Sequence, residues 1–412
     1  MPTLEWFYDY SCPYAYLAST RVRALAERTG ADLVYKPFLL GGVFRGLGSE
    51  PMASLSPVRA RMNGIDMQRW ARHFDVPLVM PMTHPNRTVL ALRATLASDD
   101  LPRATHALFH AYWVEALNLS DPEVVANTLT RGGFDGPGLV NSADSRRDEL
   151  RTRTDEALAR GVFGAPAFFV NGELHWGQDR MQAVERALGG TPPRRAAESP
   201  RSPAHVDFWY DFASPFAYLA STEIEALAAR AGATLRFRPF LLGALFKAIG
   251  TPDVPLLGFP EAKRRYYELD LQRGAKECGV GLSFPPRFPI RTVLPLRVAC
   301  MTEARAPERL APFIHAVFRA AWADGRDIED EAVLRELARA VGVDAGVVDA
   351  ARSDEAKQRL RESTDEALRL ELPGAPCAVV DGQVYWGRDR LELVERALGR
   401  DCPLSPDAPA PA

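Results

Sequence analysis

WFYDYSCPYAYLASTRVRALAERTGADLVYKPFLLGGVF, residues 6–44, returns without a gap at 208–246 as FWYDFASPFAYLASTEIEALAARAGATLRFRPFLLGALF, with 22 of 39 positions identical. A match of this length, 202 residues apart, marks a duplicated domain and not a short solenoid unit. Working outward, Arg87-Thr-Val-Leu recurs at Arg291, and Thr154-Asp-Glu-Ala-Leu recurs at Thr364. Gly164-Ala-Pro166 returns as Gly374-Ala-Pro376, and Trp176-Gly177 with Asp179-Arg180 returns as Trp386-Gly387 with Asp389-Arg390. The offset creeps from 202 through 204 to 210, as short loop insertions after a duplication would make it. Copy one is therefore expected over residues 1–188 and copy two over 204–398. Residues 189–203 have the composition of a linker, and the Pro/Ala-rich tail 399–412 is expected to be disordered.

Within copy one, Leu4 to Tyr10 reads as an aromatic-rich strand that stops at a Ser-Cys-Pro turn. Pro13 suits the first position of a helix, which runs with apolar residues at helical spacing to Thr29 and ends at Gly30. Leu33 to Pro37 is a second strand. Amphipathic helical runs follow around 58–74, 86–98, 102–116, 121–131 and 144–159. Then come Ala167–Val170, an Asn171-Gly172 turn and Glu173–Trp176, a strong hairpin signal, and a last helix over 180–188. Copy two reads the same way, with Asp381-Gly382 at its hairpin. The order βαβ, helical insertion, ββα predicts an α/β chain of two thioredoxin-like domains, each with helices spliced into its middle.

The bulk properties narrow the function. At 412 residues the chain suits two cores, and its 47% apolar and 25% charged residues are ordinary for a globular protein. With 50 basic against 53 acidic residues, nucleic acid and anionic membranes are not expected partners. No apolar run is long enough for a membrane span, and Met1-Pro-Thr-Leu-Glu5 does not resemble a signal peptide. The five cysteines, Cys12, Cys278, Cys300, Cys377 and Cys402, are odd in number and scattered. They suggest neither a disulfide framework nor a metal site, and a reducing cytoplasm fits them.

Four elements could carry chemistry. Cys12 and Ser214 stand directly before the proline that opens the first helix of each copy, where unpaired N–H groups and the helix dipole favour negative charge. A thiol there is expected to ionise more readily than a free cysteine. A serine could donate a hydrogen bond to another molecule's thiolate, or simply cap the helix. Gly-Ala-Pro before a strand makes Pro166 and Pro376 candidates for cis bonds. Ala165 and Ala375 would then offer their backbones to a peptide-like ligand. Asp179 and Asp389 could cap the last helix or meet an amino group. Arg87 and Arg291 could bind a carboxylate or form surface salt bridges. His84 has Phe288 as its counterpart and reads as incidental, and Cys377 reads as a small buried strand residue.

Taken together, Asp-Phe-x-Ser-Pro-Phe-x-Tyr-Leu-Ala, Arg-Pro-Phe-Leu-Leu-Gly, Asp-x-Gln-Arg-Trp-Ala, Gly-x-Pro before the hairpin and Trp-Gly-x-Asp-Arg-Leu resemble the 2-hydroxychromene-2-carboxylate isomerases. These are grouped with kappa-class glutathione transferases among the disulfide-bond oxidoreductase A proteins. The resemblance spans nearly all of both halves. It implies a glutathione-dependent isomerisation in aromatic degradation, with glutathione as cofactor and a small aromatic-derived carboxylate as substrate. The family's serine beside the glutathione sulfur falls on Ser214, but on Cys12 in copy one. Its backbone contact falls on Ala165 and Ala375, and its acidic contact on Asp179 and Asp389. The Asp-x-Gln-Arg-Trp-Ala match is Asp66 to Ala71, and copy two departs from it at Gly274. The resemblance also suggests a pseudo-dimer formed within one chain. Two further readings stand beside the isomerase: a thiol–disulfide oxidoreductase or kappa-type transferase using Cys12, and a non-catalytic glutathione-binding pseudo-dimer. The first of these lacks a resolving cysteine three residues after Cys12.

Overall fold

The computed structural model describes residues 1–49, 56–192, 204–252 and 254–399. Of the expected linker only 189–192 is included, and apart from Gly399 the expected tail lies outside the described residues. The first half runs β1 (Thr3–Tyr8), α1 (Pro13–Ser19), α2 (Val22–Thr29), β2 (Asp32–Pro37) and α3 (Leu40–Leu47). Its helical insertion continues with α4 (Pro57–His73), α5 (Val89–Ala97), α6 (Leu101–Trp113), α7 (Pro122–Arg131), α8 (Gly136–Ser142) and α9 (Arg147–Ala159). The hairpin β3 (Ala167–Val170) and β4 (Glu173–Trp176) and then α10 (Met181–Ala187) close it.

The second half repeats the plan: β5 (Ala204–Tyr210), α11 (Pro215–Arg230), β6 (Ala233–Pro239) and α12 (Leu242–Ala248). It continues through α13 (Glu261–Cys278), α14 (Val293–Arg305), α15 (Leu310–Trp322), α16 (Glu331–Ala340), α17 (Gly346–Ala350) and α18 (Asp354–Arg369). It ends with β7 (Cys377–Val380), β8 (Gln383–Trp386) and α19 (Leu391–Leu398). Each half has a four-stranded sheet, β2-β1-β3-β4 and β6-β5-β7-β8, with a parallel first pair and an antiparallel hairpin. This is the α/β arrangement expected from the sequence.

The central strand has both faces covered, so it reads as a continuous apolar run: Trp6, Phe7 and Tyr8 are fully buried, as are Trp209 and Tyr210. The aromatic core also anchors the turn that follows. Trp113 Nε1 donates to the Tyr10 carbonyl at 2.8 Å, and Trp322 Nε1 does the same to Phe212. The insertion thus pins the start of the first helix.

That first helix breaks in copy one at Arg21 (φ −129°) but runs on as α11 in copy two. Arg21 Nε takes the Leu17 carbonyl and its Nη2 bonds Gln178, whereas copy two has Glu223 at this place.

The halves pack through matching helices. From α4 the residues Arg59, Met62, Asp66, Arg69 and His73 reach the second half. From α13 the residues Lys263, Tyr266, Asp270, Arg273 and Glu277 reach the first, each displaced by 204. The spacing is that of a single helical stripe. Each stripe lies on the other half's hairpin. Arg69 donates to the Val384 carbonyl and sits 4.0 Å over the Tyr385 ring, and Arg273 donates to the Leu174 carbonyl at 2.7 Å. Met62 is buried in a cluster of second-half residues that includes Trp209 and Phe240.

Candidate active site

The residue before each helix-opening proline is an N-cap in extended conformation, Cys12 at φ −99° and Ser214 at φ −100°. Both Ala-Pro bonds expected to be cis are cis, Ala165-Pro166 and Ala375-Pro376. These two elements meet in each half. Cys12 Sγ donates to the Ala165 carbonyl at 3.0 Å, and Ser214 Oγ donates to the Ala375 carbonyl at 3.0 Å. Ser214 Oγ also accepts from the Ala217 N–H at 3.2 Å, so it caps its helix. The Cys12 side chain makes no cap bond. Among the described residues neither Ala165 N–H nor Ala375 N–H donates a hydrogen bond.

The expected acidity of Cys12 is not found. It is 7% exposed, and burial pushes its thiol up to about 12 against the opposing pull of the Ala15 and Tyr14 N–H groups. The desolvation cost of a thiolate outweighs what one helix terminus returns. Cys377 is likewise buried in β7, its Sγ 3.2 Å from the Gly374 carbonyl. Cys12, Cys278, Cys300 and Cys377 are all free thiols.

Asp179 and Asp389 do not cap the last helix. Each lies in a 3-10 turn after a glycine of φ above +100°, Gly177 or Gly387, where a Cβ would come within 2.5 Å of the aspartate oxygen. Their partners come from across the chain. Arg390 bonds Asp179 at 2.6 Å and Asp66 at 2.7 Å, while Arg180 bonds Asp389 at 2.9 Å and Asp270 at 2.9 Å. Each arginine also lies near its own half's aspartate, 3.3 Å for Arg180–Asp179 and 3.0 Å for Arg390–Asp389. Burial would push the Asp389 carboxyl up, but Arg390 and Arg180 hold it below the usual carboxylate range. Four carboxylates therefore face two guanidiniums in a partly buried cluster shared by both halves. The excess of negative charge leaves room for added cations.

Arg87 and Arg291 stand apart from these groups. Both are exposed on the loops entering α5 and α14, and Arg291 lies 3.6 Å from Glu329. His84 is held by Tyr112, Nδ1 to Oη 2.9 Å.

Three features of the site escaped the sequence reading. Asp9 is buried at the base of the turn, and its carboxylate accepts from Ser11, Thr88 and the Leu40 N–H. Asp211 accepts from the Ala213 and Leu242 N–H groups. Burial raises both carboxyls, and these bonds offset part of the rise. The repetition of Asp9 as Asp211 was the available signal. The second feature is a pair of cations crossing between halves. Arg59 Nε and Nη2 donate to the Pro373 carbonyl at 3.3 Å, just before the Gly374-Ala-Pro376 loop. Lys263, its counterpart, lies 5.8 Å from the Trp176 ring centre and 3.9 Å from that of Phe259, and burial pushes its ammonium down to about 8. The third is the partnership of Asp66 and Asp270 with these arginines, which places the Asp-x-Gln-Arg motif at the contact between halves.

The sequence model of the DSBA-like thioredoxin domain family matches the chain twice, over residues 3–189 and 205–399. Among curated proteins, a 2-hydroxychromene-2-carboxylate isomerase of Pseudomonas putida is 32% identical over 203 residues, 49% of this chain and 98% of that protein. One of the same name from Sphingobium xenophagum is 32% identical over 200 residues, 47% of this chain and 97% of that protein. Glutathione S-transferase kappa 1 of Caenorhabditis elegans is 28% identical over 212 residues, 48% of this chain and 92% of that protein. Each relative matches about half of this chain. No helix among the described residues is long and apolar enough to cross a membrane.

Proposed function

The chain belongs to the family of DSBA-like thioredoxin domains, which it carries twice, and from that premise we propose that it is a glutathione-dependent isomerase of the 2-hydroxychromene-2-carboxylate type, with its chemistry centred on Ser214. The observation that carries this reading is the meeting of Ser214 Oγ, at a helix N-terminus, with the Ala375 carbonyl of a cis Ala-Pro loop. A hydroxyl so placed can turn from that carbonyl to a bound sulfur and hold it as the thiolate, aided by the helix dipole.

The other groups fit the rest of a tripeptide. The N–H groups of Ala165 and Ala375 suit its backbone carbonyl. The cluster of Asp66, Asp179, Asp270 and Asp389 around Arg180 and Arg390 has the surplus charge to accept one α-ammonium per half. Bound glutathione supplies a thiolate that adds reversibly to an unsaturated carboxylate substrate. Against it, Ser214 holds the sulfur's charge and Ala375 fixes its direction. The buried Asp211 keeps the strand-to-helix turn and the Leu242 segment in register around them.

Burial of Cys12 counts against the thiol–disulfide reading, because little thiolate forms at neutral pH when the thiol is pushed up to about 12. Copy two is therefore the isomerase half, in a reducing cytoplasm, and copy one binds glutathione and completes the charge cluster. Calorimetric titration of the full chain with glutathione tests the binding, with two sites expected. Ser214→Ala tests the chemistry, with turnover of a hydroxychromene carboxylate expected to fall by at least about tenfold. Absence of glutathione binding, or unchanged turnover in Ser214→Ala, overturns the assignment.

A further inference from the structure

Lysine is rare in this chain. Only five of its 50 basic residues are lysines, and Lys263 is the buried one, at 9% exposure. Lys36 lies 3.0 Å from Glu156, Lys357 lies 2.9 Å from Asp354, and Lys247 and Lys276 are exposed. Among the described residues the Nζ of Lys263 has neither a hydrogen bond nor an ion pair, yet it is not sealed from solvent. Its neighbours are rings, with centres 3.9 Å away in Phe259, 5.8 Å in Trp176 and 5.9 Å in Tyr267. Phe259 and Tyr267 pack on one another at 5.3 Å, which fixes two of these walls.

Three features of this seat disfavour the charged ammonium. Contact with ring faces replaces only part of the hydration that burial removes. Lys263 is the third residue of α13, at the positive end of the helix dipole. Arg59, buried across the seam, adds a second positive charge, and its own hydrogen bonds go to the Pro373 carbonyl. Burial first and Arg59 second push the amine down to about 8. At pH 7 about one amine in ten is then unprotonated, against about one in two thousand for a free lysine. A lysine desolvated among apolar groups beside another cation is an activated nucleophile. At the matching place copy one has Arg59, whose guanidinium keeps its proton.

We propose that Lys263 is a carbonyl-reactive amine that captures small apolar aldehydes as an imine. The nitrogen lone pair adds to the aldehyde carbon, and the carbonyl π pair moves to oxygen, which takes the proton shed by nitrogen. The carbinolamine then expels its hydroxyl, which leaves as water with the second nitrogen proton as the C=N bond forms. The step needs no oxidant or reductant. No ion pair has to break, because the ammonium has none among the described residues. Phe259, Trp176 and Tyr267 favour an aldehyde whose remaining part is apolar. Neither Ser214 nor glutathione takes part.

The test uses the full chain without glutathione. It is equilibrated with benzaldehyde at pH 7, borohydride fixes the imines as secondary amines, and a digest is mapped by mass spectrometry. Occupancy of Lys263 is expected to exceed that of the exposed Lys276 in the same sample by about tenfold or more. Glyceraldehyde, a polar probe, should show a smaller preference for Lys263 over Lys276. Lys263→Arg, which copies the side chain found at 59, should lose the dominant adduct, and Lys276→Arg should keep it. Equal occupancy of Lys263 and Lys276, an undiminished preference with glyceraldehyde, or an unchanged dominant adduct in Lys263→Arg overturns the proposal. The mapping on the parent chain decides the matter even where a variant folds poorly.

Discussion

Replacing Arg390 with methionine should markedly weaken the fold at the contact between halves. The guanidinium is 14% exposed, and it bonds Asp66 and Asp179, whose side chains are 10% and 14% exposed. Methionine keeps much of the stem's packing but leaves four partly buried carboxylates around Arg180 alone. Removing one partner of a buried pair costs about 3–5 kcal/mol, mostly as the penalty of the stranded charge. At pH 7 the fold should therefore weaken by about that amount, a factor of about 10² or more in the folded ratio. The loss has a signature in pH. Stranded carboxylates have raised folded pKa values, so their penalty is absent below the unfolded carboxyl range and grows as pH rises through it. Urea denaturation at pH 7 and pH 4.5 reads both parts. The gap between Arg390→Met and the parent should be large at pH 7 and narrower at pH 4.5, and adding Asp179→Asn should restore part of it. A loss below about 1 kcal/mol at pH 7, or one that does not change with pH, would refute the reasoning.

Other consequences can be measured directly. Cys12 should resist iodoacetamide through pH 9 in the native protein, since burial pushes its thiol up to about 12; alkylation at the rate of a free thiol would show the burial argument to be wrong. His175 is buried, its Nε2 has no hydrogen-bond partner among the described residues, and its pKa is pushed down to about 4 by burial and by Arg273. The unfolded chain takes up this proton first, so stability should fall as pH drops from about 6.5 toward 4, by up to roughly 3 kcal/mol. His175→Tyr, the residue copy two has at 385, should flatten that slope, and an unchanged slope would count against it. Gly164→Ala should destabilise by about 1–3 kcal/mol, because the new Cβ would stand 2.5 Å from Trp176 Nε1. Gly374→Ala, where the same distance is 3.0 Å, should cost less, and the reverse order in thermal melts would contradict the geometry.

The repeat made the topology legible. Asn171-Gly172 placed the hairpin, Gly30 ended the helix at a left-handed cap, and Gly-Ala-Pro marked two bonds that are cis. Helix α3 was missed, because Leu40-Gly-Gly-Val-Phe-Arg-Gly-Leu47 carries three glycines of poor helical propensity, and packing against α9 overrides them. The short α8, opening Gly136-Pro137-Gly138, was hidden by the same chemistry. Cys12 was misjudged because its position at a helix start is local information, while its burial comes from residues far along the chain. The partners of Asp179 and Asp389 lie outside local reading for the same reason: Arg390 and Arg180 are about 210 residues away. Arg59 and Lys263 share a place in the repeat but differ in kind, a guanidinium bonded to a carbonyl and an ammonium against aromatic rings.

That last difference has a consequence for how such a protein can change. In an assembly of two identical subunits, every substitution at the seam is made twice, and a gain on one side can be cancelled on the other. Here the seam is written by two separate stretches of one chain. Tethering also holds the halves at a high effective concentration, so a pairing too weak to persist between free subunits can survive. Arg59 and Lys263, or Cys12 and Ser214, can thus drift one at a time. If the halves were produced as separate chains, each would meet copies of itself, and the Arg59 and Lys263 seats would no longer face the partners they were fitted to.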